Sequence, residues 1–110
     1  MTPTTNHVAL LGRVSNEAET RTLPSGDTLA SFRLIVDRSP VAKKRSKQTV
    51  DTFECVVWTS RLRKAVEKLV PGDTIEVTGQ LRRRFSRSNG VPASWVTIEV
   101  ETCHKVEAAA

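Results

Sequence analysis

Residues 50–73 read VDTFECVVWTSRLRKAVEKLVPGD, and the fold turns on where this stretch changes its period. From Val50 to Thr59 the side chains alternate. Phe53, Cys55 and Val57 share a uniformly apolar side, while Thr52, Glu54, Val56 and Trp58 share a mixed one. A period of two marks a half-buried strand, with Phe53 in the core and Trp58 on the wetter face. From Ser60 the period lengthens: Leu62, Ala65, Val66 and Leu69 follow the i, i+3, i+4, i+7 stripe of a helix, and Ser60 stands where a cap belongs. Pro71-Gly72-Asp73 ends that helix before Leu69 can be followed by another turn.

Working outward, Val8 to Val14 reads as a first strand, bent at Gly12, and a polar connection through Glu17–Arg21 leads to a turn at Leu23–Asp27. Thr28 to Asp37 is a second strand, with Ala30, Phe32, Leu34 and Val36 inward and Ser31, Arg33, Ile35 and Asp37 outward. Residues 38–49 hold Pro40 and no apolar periodicity, and read as a long hairpin arm before the third strand. Beyond the helix, Thr74 to Phe85 is a fourth strand with Ile75, Val77 and Leu81 inward. Ser88-Asn89-Gly90 is a hairpin turn, and Trp95 to Thr102 closes as a fifth strand burying Val96, Ile98 and Val100. The expected fold class is therefore all-β with one helix: a five-stranded Greek-key barrel of the OB-fold, its helix between strands three and four. A single domain is expected over residues 1–106, with 107–110 a short frayed ending.

The chain of 110 residues carries 17 cations against 12 acids, a net charge of +5 that suggests a polyanionic partner. Nine of those cations fall in two acid-free segments: Arg38, Lys43, Lys44, Arg45 and Lys47, then Arg82, Arg83, Arg84 and Arg87. No run approaches the roughly 18 apolar residues of a spanning helix. The first residues lack the charged and apolar regions of a secretory signal, so a reducing cytoplasmic setting is expected, with Cys55 and Cys103 as free thiols. Those cysteines and His7 and His104 are scattered singly, without metal-ligand spacing, and no cofactor is expected. No nucleophile stands with a histidine and a carboxylate in a recognised spacing, so catalysis is not expected either.

Single strands are held by cations that follow phosphates and by aromatic faces that stack on bases. Trp58 is the leading stacker, against the plainer reading of a tryptophan packed under an arm. Phe85 follows three arginines, and Trp95 is placed opposite it across the last hairpin, where the two could equally stack on each other. Arg33, Arg82 and Arg84 are outward ladder positions suited to phosphates or bases, whereas Lys43, Lys44, Arg45 and Lys47 add salt-sensitive attraction from an arm. The helix cations Arg61, Arg63, Lys64 and Lys68 read as an ordinary solvated face.

Several segments together resemble the bacterial single-stranded DNA-binding protein family: residues 6–14, Glu19-Thr20-Arg21 with Pro24-Ser25-Gly26, Leu29 to Leu34, Cys55 to Trp58, and Pro71-Gly72-Asp73 followed by Val77 to Arg82. The resemblance implies a homotetramer, or a dimer of paired domains, that wraps single-stranded DNA in replication, recombination and repair near the nucleoid, without catalysis. Two departures stand out. The chain stops without the family's acidic tip, which argues against recruiting proteins through such a tail, and Asp37–Val41 lacks the aromatic common at the start of the arm. Both fit a short accessory or primosomal-type relative. The alternatives left open are a primosome-type protein-interaction module and a single-stranded RNA binder.

Overall fold

The computed structural model describes residues 3–107, so most of the expected frayed ending lies outside the described residues. The elements run β1 (Val8–Val14), β2 (Glu19–Thr22), β3 (Thr28–Asp37), α1 (Pro40–Arg45), β4 (Val50–Val57), α2 (Ser60–Glu67), β5 (Thr74–Ser88) and β6 (Val91–Val106). The strands form one six-stranded sheet in the order β1-β5-β6-β4-β3-β2, and a further β1–β3 pairing closes five of them into a barrel, with β2 outside the closure. All pairings are antiparallel except β4 with β6, as the Greek-key path requires. Gly12 lies where β1 leaves β5 and turns towards β3. A Cβ there would run into the backbone carbonyl of Ile35, so a glycine is needed for the two strands to approach.

Alternation decides the core. Ala30, Phe32 and Leu34 from β3, Cys55 and Val57 from β4, Ile75 and Val77 from β5, and Ile98 and Val100 from β6 are all buried. Phe53 packs against this cluster, as expected, and α2 contributes Val66 and plugs one end together with Leu69. The α2 cap is Thr59 rather than Ser60: the Thr59 hydroxyl accepts from the Leu62 amide at 3.2 Å. Both residue types cap well, and only the chain's departure from β4 selects between them.

The structure corrects the expectation elsewhere too. Among the described residues there are six strands rather than five, because the polar connection Glu19–Thr22 pairs along β3. All four β2 residues are exposed, so no apolar period announces them. The basic arm contains α1, a helix of six residues with none buried. Its signals are local: the Ser39 hydroxyl accepts from the Ala42 amide, Pro40 occupies the first turn, and Lys43, Lys44 and Arg45 sit in the last turn against the negative end of the helix dipole. Leu81 and Val96, expected inward, are 46% and 43% exposed. They keep the inward parity, but beyond Gly79 and Ile98 no third strand covers that face of the β5–β6 hairpin.

The arm between β3 and β4 is tied at its root. Arg38 makes a two-point contact with Asp51, Nε to Oδ2 at 3.1 Å and Nη2 to Oδ1 at 2.8 Å. Hydrogen bonding from Arg38 holds the Asp51 carboxyl below its ordinary value of 3.8. A depressed carboxylate contributes stability that is present above its unfolded value and is lost as pH falls through the folded one. The Arg38 side-chain Nε–H signal in NMR is therefore expected to hold steady from neutral pH down to about pH 4, losing its paired shift only below that. A change centred near neutrality would contradict this tether.

Candidate nucleic-acid interface

The outer faces of β3 and β4 carry a groove of about 440 Å³. Val56, buried on this face, forms part of the floor beside Leu29 and Ser31, and half-buried Trp58 closes the end of β4. One wall is the β2–β3 hairpin, which brings Thr20, Arg21 and Leu23. The other is the base of the β5–β6 arm, which brings Arg84 and Thr97. Arg84 is held in place, its Nε donating to the Thr97 hydroxyl at 3.3 Å. Thr97 is itself buried, so this guanidinium is anchored to the barrel rather than free to sweep through solvent.

A second hollow of about 330 Å³ adjoins the first and contains Arg33, which stands directly opposite Glu54 in the β3–β4 ladder. Glu19 and Glu54 line both hollows, and among the described residues neither forms an ion pair. Glu54 in the floor and Glu19 on β2 disfavour phosphates beside them and favour the cations Arg21 and Arg84 on the walls.

The structure brings only some of the expected residues together. Trp58 and Arg84 line the groove, and Trp95 joins them on the same arm face, because its ladder partner is Arg84. Trp95 is thus not opposite Phe85, whose partner is Ser94. The two aromatics lie on opposite faces of the hairpin and cannot form the expected cross-strand stack. Arg82 shares the groove-side face with Arg84, but its Nε is paired with Glu99 at 2.9 Å. Lys43, Lys44, Arg45 and Lys47 are not brought into the groove. The arm springs from Asp37 and Val50, six ladder positions from Ser31, which is about 20 Å along the strand.

The groove also contains residues that strand reading of the sequence overlooked, above all Arg21 and Thr20. Their signal was the turn at Leu23–Asp27, closed by Leu23 donating to Asp27 O and Gly26 donating to Leu23 O, which folds the preceding residues back along β3. Both thiols stay protonated at neutral pH: burial pushes Cys55 up to about 12 and raises Cys103 as well. No group of three or more metal-ligating side chains occurs among the described residues. No helix among them is long and apolar enough to cross a membrane.

Asn6 pins the arm's root, its amide nitrogen donating to Leu81 O and its amide oxygen accepting from Leu81 N, both at 2.9 Å. Asn6→Ala is expected to leave the barrel folded while speeding hydrogen exchange at the Leu81 amide by about tenfold, for a loss of about 1 kcal/mol. An unchanged exchange rate would show that these hydrogen bonds do not hold the arm.

Comparison with known proteins places these features in a group. The model of the single-strand binding protein family matches residues 5–106. A single-stranded DNA-binding protein of Halalkalibacterium halodurans is 31% identical over 84 residues, 76% of this chain and 49% of that protein. Single-stranded DNA-binding protein 3 of Listeria innocua is 32% identical over 92 residues, 84% of this chain and 57% of that protein. The chain thus spans about half the length of these curated relatives. A solved structure titled "Plasmodium falciparum SSB complex with ssDNA" superposes with a TM-score of 0.81 at 22% identity, covering 97% of this chain and 99% of that one, which establishes a shared fold.

Proposed function

The chain belongs to the single-strand binding protein family, and on that premise we propose that it binds single-stranded DNA with little sequence preference. The observation that carries the reading is the groove in which Trp58 stands across from the anchored Arg84. Bases lie inward, stacked on Trp58 and passing over the Val56 floor. Phosphates run along the walls at Arg21 and Arg84, and Arg33, opposite Glu54 in the adjoining hollow, is reached only at the groove's edge. Trp95 extends the stacking surface up the arm, and Arg82 contributes once a phosphate displaces Glu99. The protein acts by binding, without catalysis or cofactor, in DNA replication, recombination or repair in the cytoplasm.

Self-association into a dimer or tetramer belongs to the same reading. Along Val8–Gly12, β1 pairs with β5 on one side only, leaving a row of backbone groups open and Leu11 exposed beside it. A homo-oligomer through this edge lets one strand visit several grooves.

Titration of dye-labelled oligo-dT, read by anisotropy at low salt, tests the proposal. Saturable binding is expected, and its absence would overturn the reading. Replacing Lys43, Lys44, Arg45 and Lys47 with glutamine is expected to flatten the dependence of log affinity on log salt by up to about 3, at about 0.7 for each phosphate no longer neutralised. An unchanged slope would mean that α1 and its flank do not touch phosphates.

A further inference from the structure

Beyond Leu81 and Ile98 the β5–β6 hairpin leaves the barrel as a two-stranded arm with no third strand beside it. One face belongs to the groove. The other continues the parity of the core: Leu81 is the ladder partner of Ile98, which is 1% exposed, yet Leu81 itself, Val96 and Phe85 are 46%, 43% and 75% exposed. Arg83 and Arg87 share this face with them. No carboxylate occurs anywhere in residues 81–98.

A large, open apolar surface on a two-stranded ribbon calls for an occupant, because such a ribbon is marginally stable alone. Chemistry narrows the choice. Arg83, Phe85 and Arg87 alternate cation, aromatic and cation at steps of about 6.8 Å, so the two guanidinium positions lie about 14 Å apart, a span that suits every second phosphate of a stretched strand with bases over the Phe85 ring between them. A second copy of the arm is a poor match, since it would bring two more arginines against Arg83 and Arg87 with no carboxylate between them. An extended polyanion that carries flat apolar groups fits both halves of the surface. The groove also ends on the opposite face of the same ribbon, so a strand leaving the groove needs only to pass the ribbon's edge.

We propose that the bound single strand continues onto this back face of the arm, with Phe85 as a second stacking platform and Arg83 and Arg87 holding its phosphates. The inference rests on the function proposed above. It moves Phe85 out of the groove and into a separate subsite, reached only by strands long enough to round the arm.

The test compares wild type, Phe85→Ala and the double variant Arg83→Gln/Arg87→Gln on oligo-dT of about 5 and about 16 nucleotides, lengths that bracket the site size of a single fold of this kind. Anisotropy reads affinity, and sedimentation velocity reads mass without DNA. Both variants are expected to bind the long oligonucleotide about tenfold or more weakly and to keep wild-type affinity on the short one. Thermal midpoints should match wild type, because Phe85 is exposed. Equal affinities of all three proteins for the long oligonucleotide would overturn the back-face subsite while leaving the groove reading intact. An equal loss at both lengths would overturn it too, by placing Phe85 in the groove path. A fall in mass for Phe85→Ala with unchanged DNA affinity would assign the face to contact between copies instead. Failure of wild type to bind either length would sink the underlying function, and the subsite with it.

Discussion

Trp58→Ala is expected to weaken oligo-dT binding by about ten- to a hundredfold, the effect of removing one stacked base at about 1–3 kcal/mol. Trp58 closes the groove on a rigid strand end, held between the floor residue Val56 and the α2 cap Thr59. No other aromatic lines the groove itself. The loss should be independent of salt, because stacking releases no counterions, whereas neutralising the α1 arm changes the salt slope. Trp58→Phe separates stacking from packing: it keeps a ring in place and should recover most of the affinity. Trp58→Ala with full affinity and a wild-type thermal midpoint would remove the groove from the mechanism. Trp95, 42% exposed on the arm and outside the groove's lining, should cost less when truncated.

Gly79→Ala should destabilise the fold more than any surface change, by about 3 kcal/mol, near the upper end of typical overpacking costs. Gly79 is buried at the register shift, paired with Val8 of β1 on one side and Val100 of β6 on the other. An added Cβ would meet the Glu99 carbonyl and the Val100 Cα. Those are backbone atoms of the same ladder and cannot swing aside as a flexible side chain would. The thermal midpoint should fall by roughly 15 °C for a domain of this size. Gly90→Ala makes the contrast. Its Cβ would meet nothing within 4 Å, but its φ of 78° disfavours any L side chain, so a smaller loss of about 1 kcal/mol is expected. If Gly79→Ala melts like wild type, the three strands are not as closely spaced at the bulge as described.

The groove and the arm also show what could be read without coordinates. The period change at Thr59 announced β4 and α2, and alternation placed Phe32, Phe53 and Ile98 towards the core. The register of the last hairpin was within reach as well. A two-residue turn at Asn89-Gly90, with φ of 52° and 78°, pairs Ser88 with Val91, and counting back places Arg84 opposite Trp95 and Phe85 opposite Ser94. Reading the turn one residue longer moved both aromatics onto one face. The β2 strand and α1 were harder, because short polar elements carry no apolar period and exist through caps, turns and a neighbour's free edge.

By itself the amino-acid sequence determined the order of the five long strands and α2, the alternation of side chains along each of those strands, and the crowding of cations into two acid-free segments. These are local properties, set by backbone period and composition. Only the tertiary structure decided what covers each face. Leu81 and Val96 obey the same alternation as Ile75 and Ile98, yet they are open because β1 pairs along β5 only as far as Gly79 and β4 meets β6 only near Ile98. Likewise, Trp58, Arg21 and Arg84 come from three separate hairpins, and only barrel closure brings them around one groove, while the α1 arm springs from the far end of β3, about 20 Å along the strand from Ser31. Periodicity specifies a direction for a side chain; burial and proximity depend on which strands end, and where.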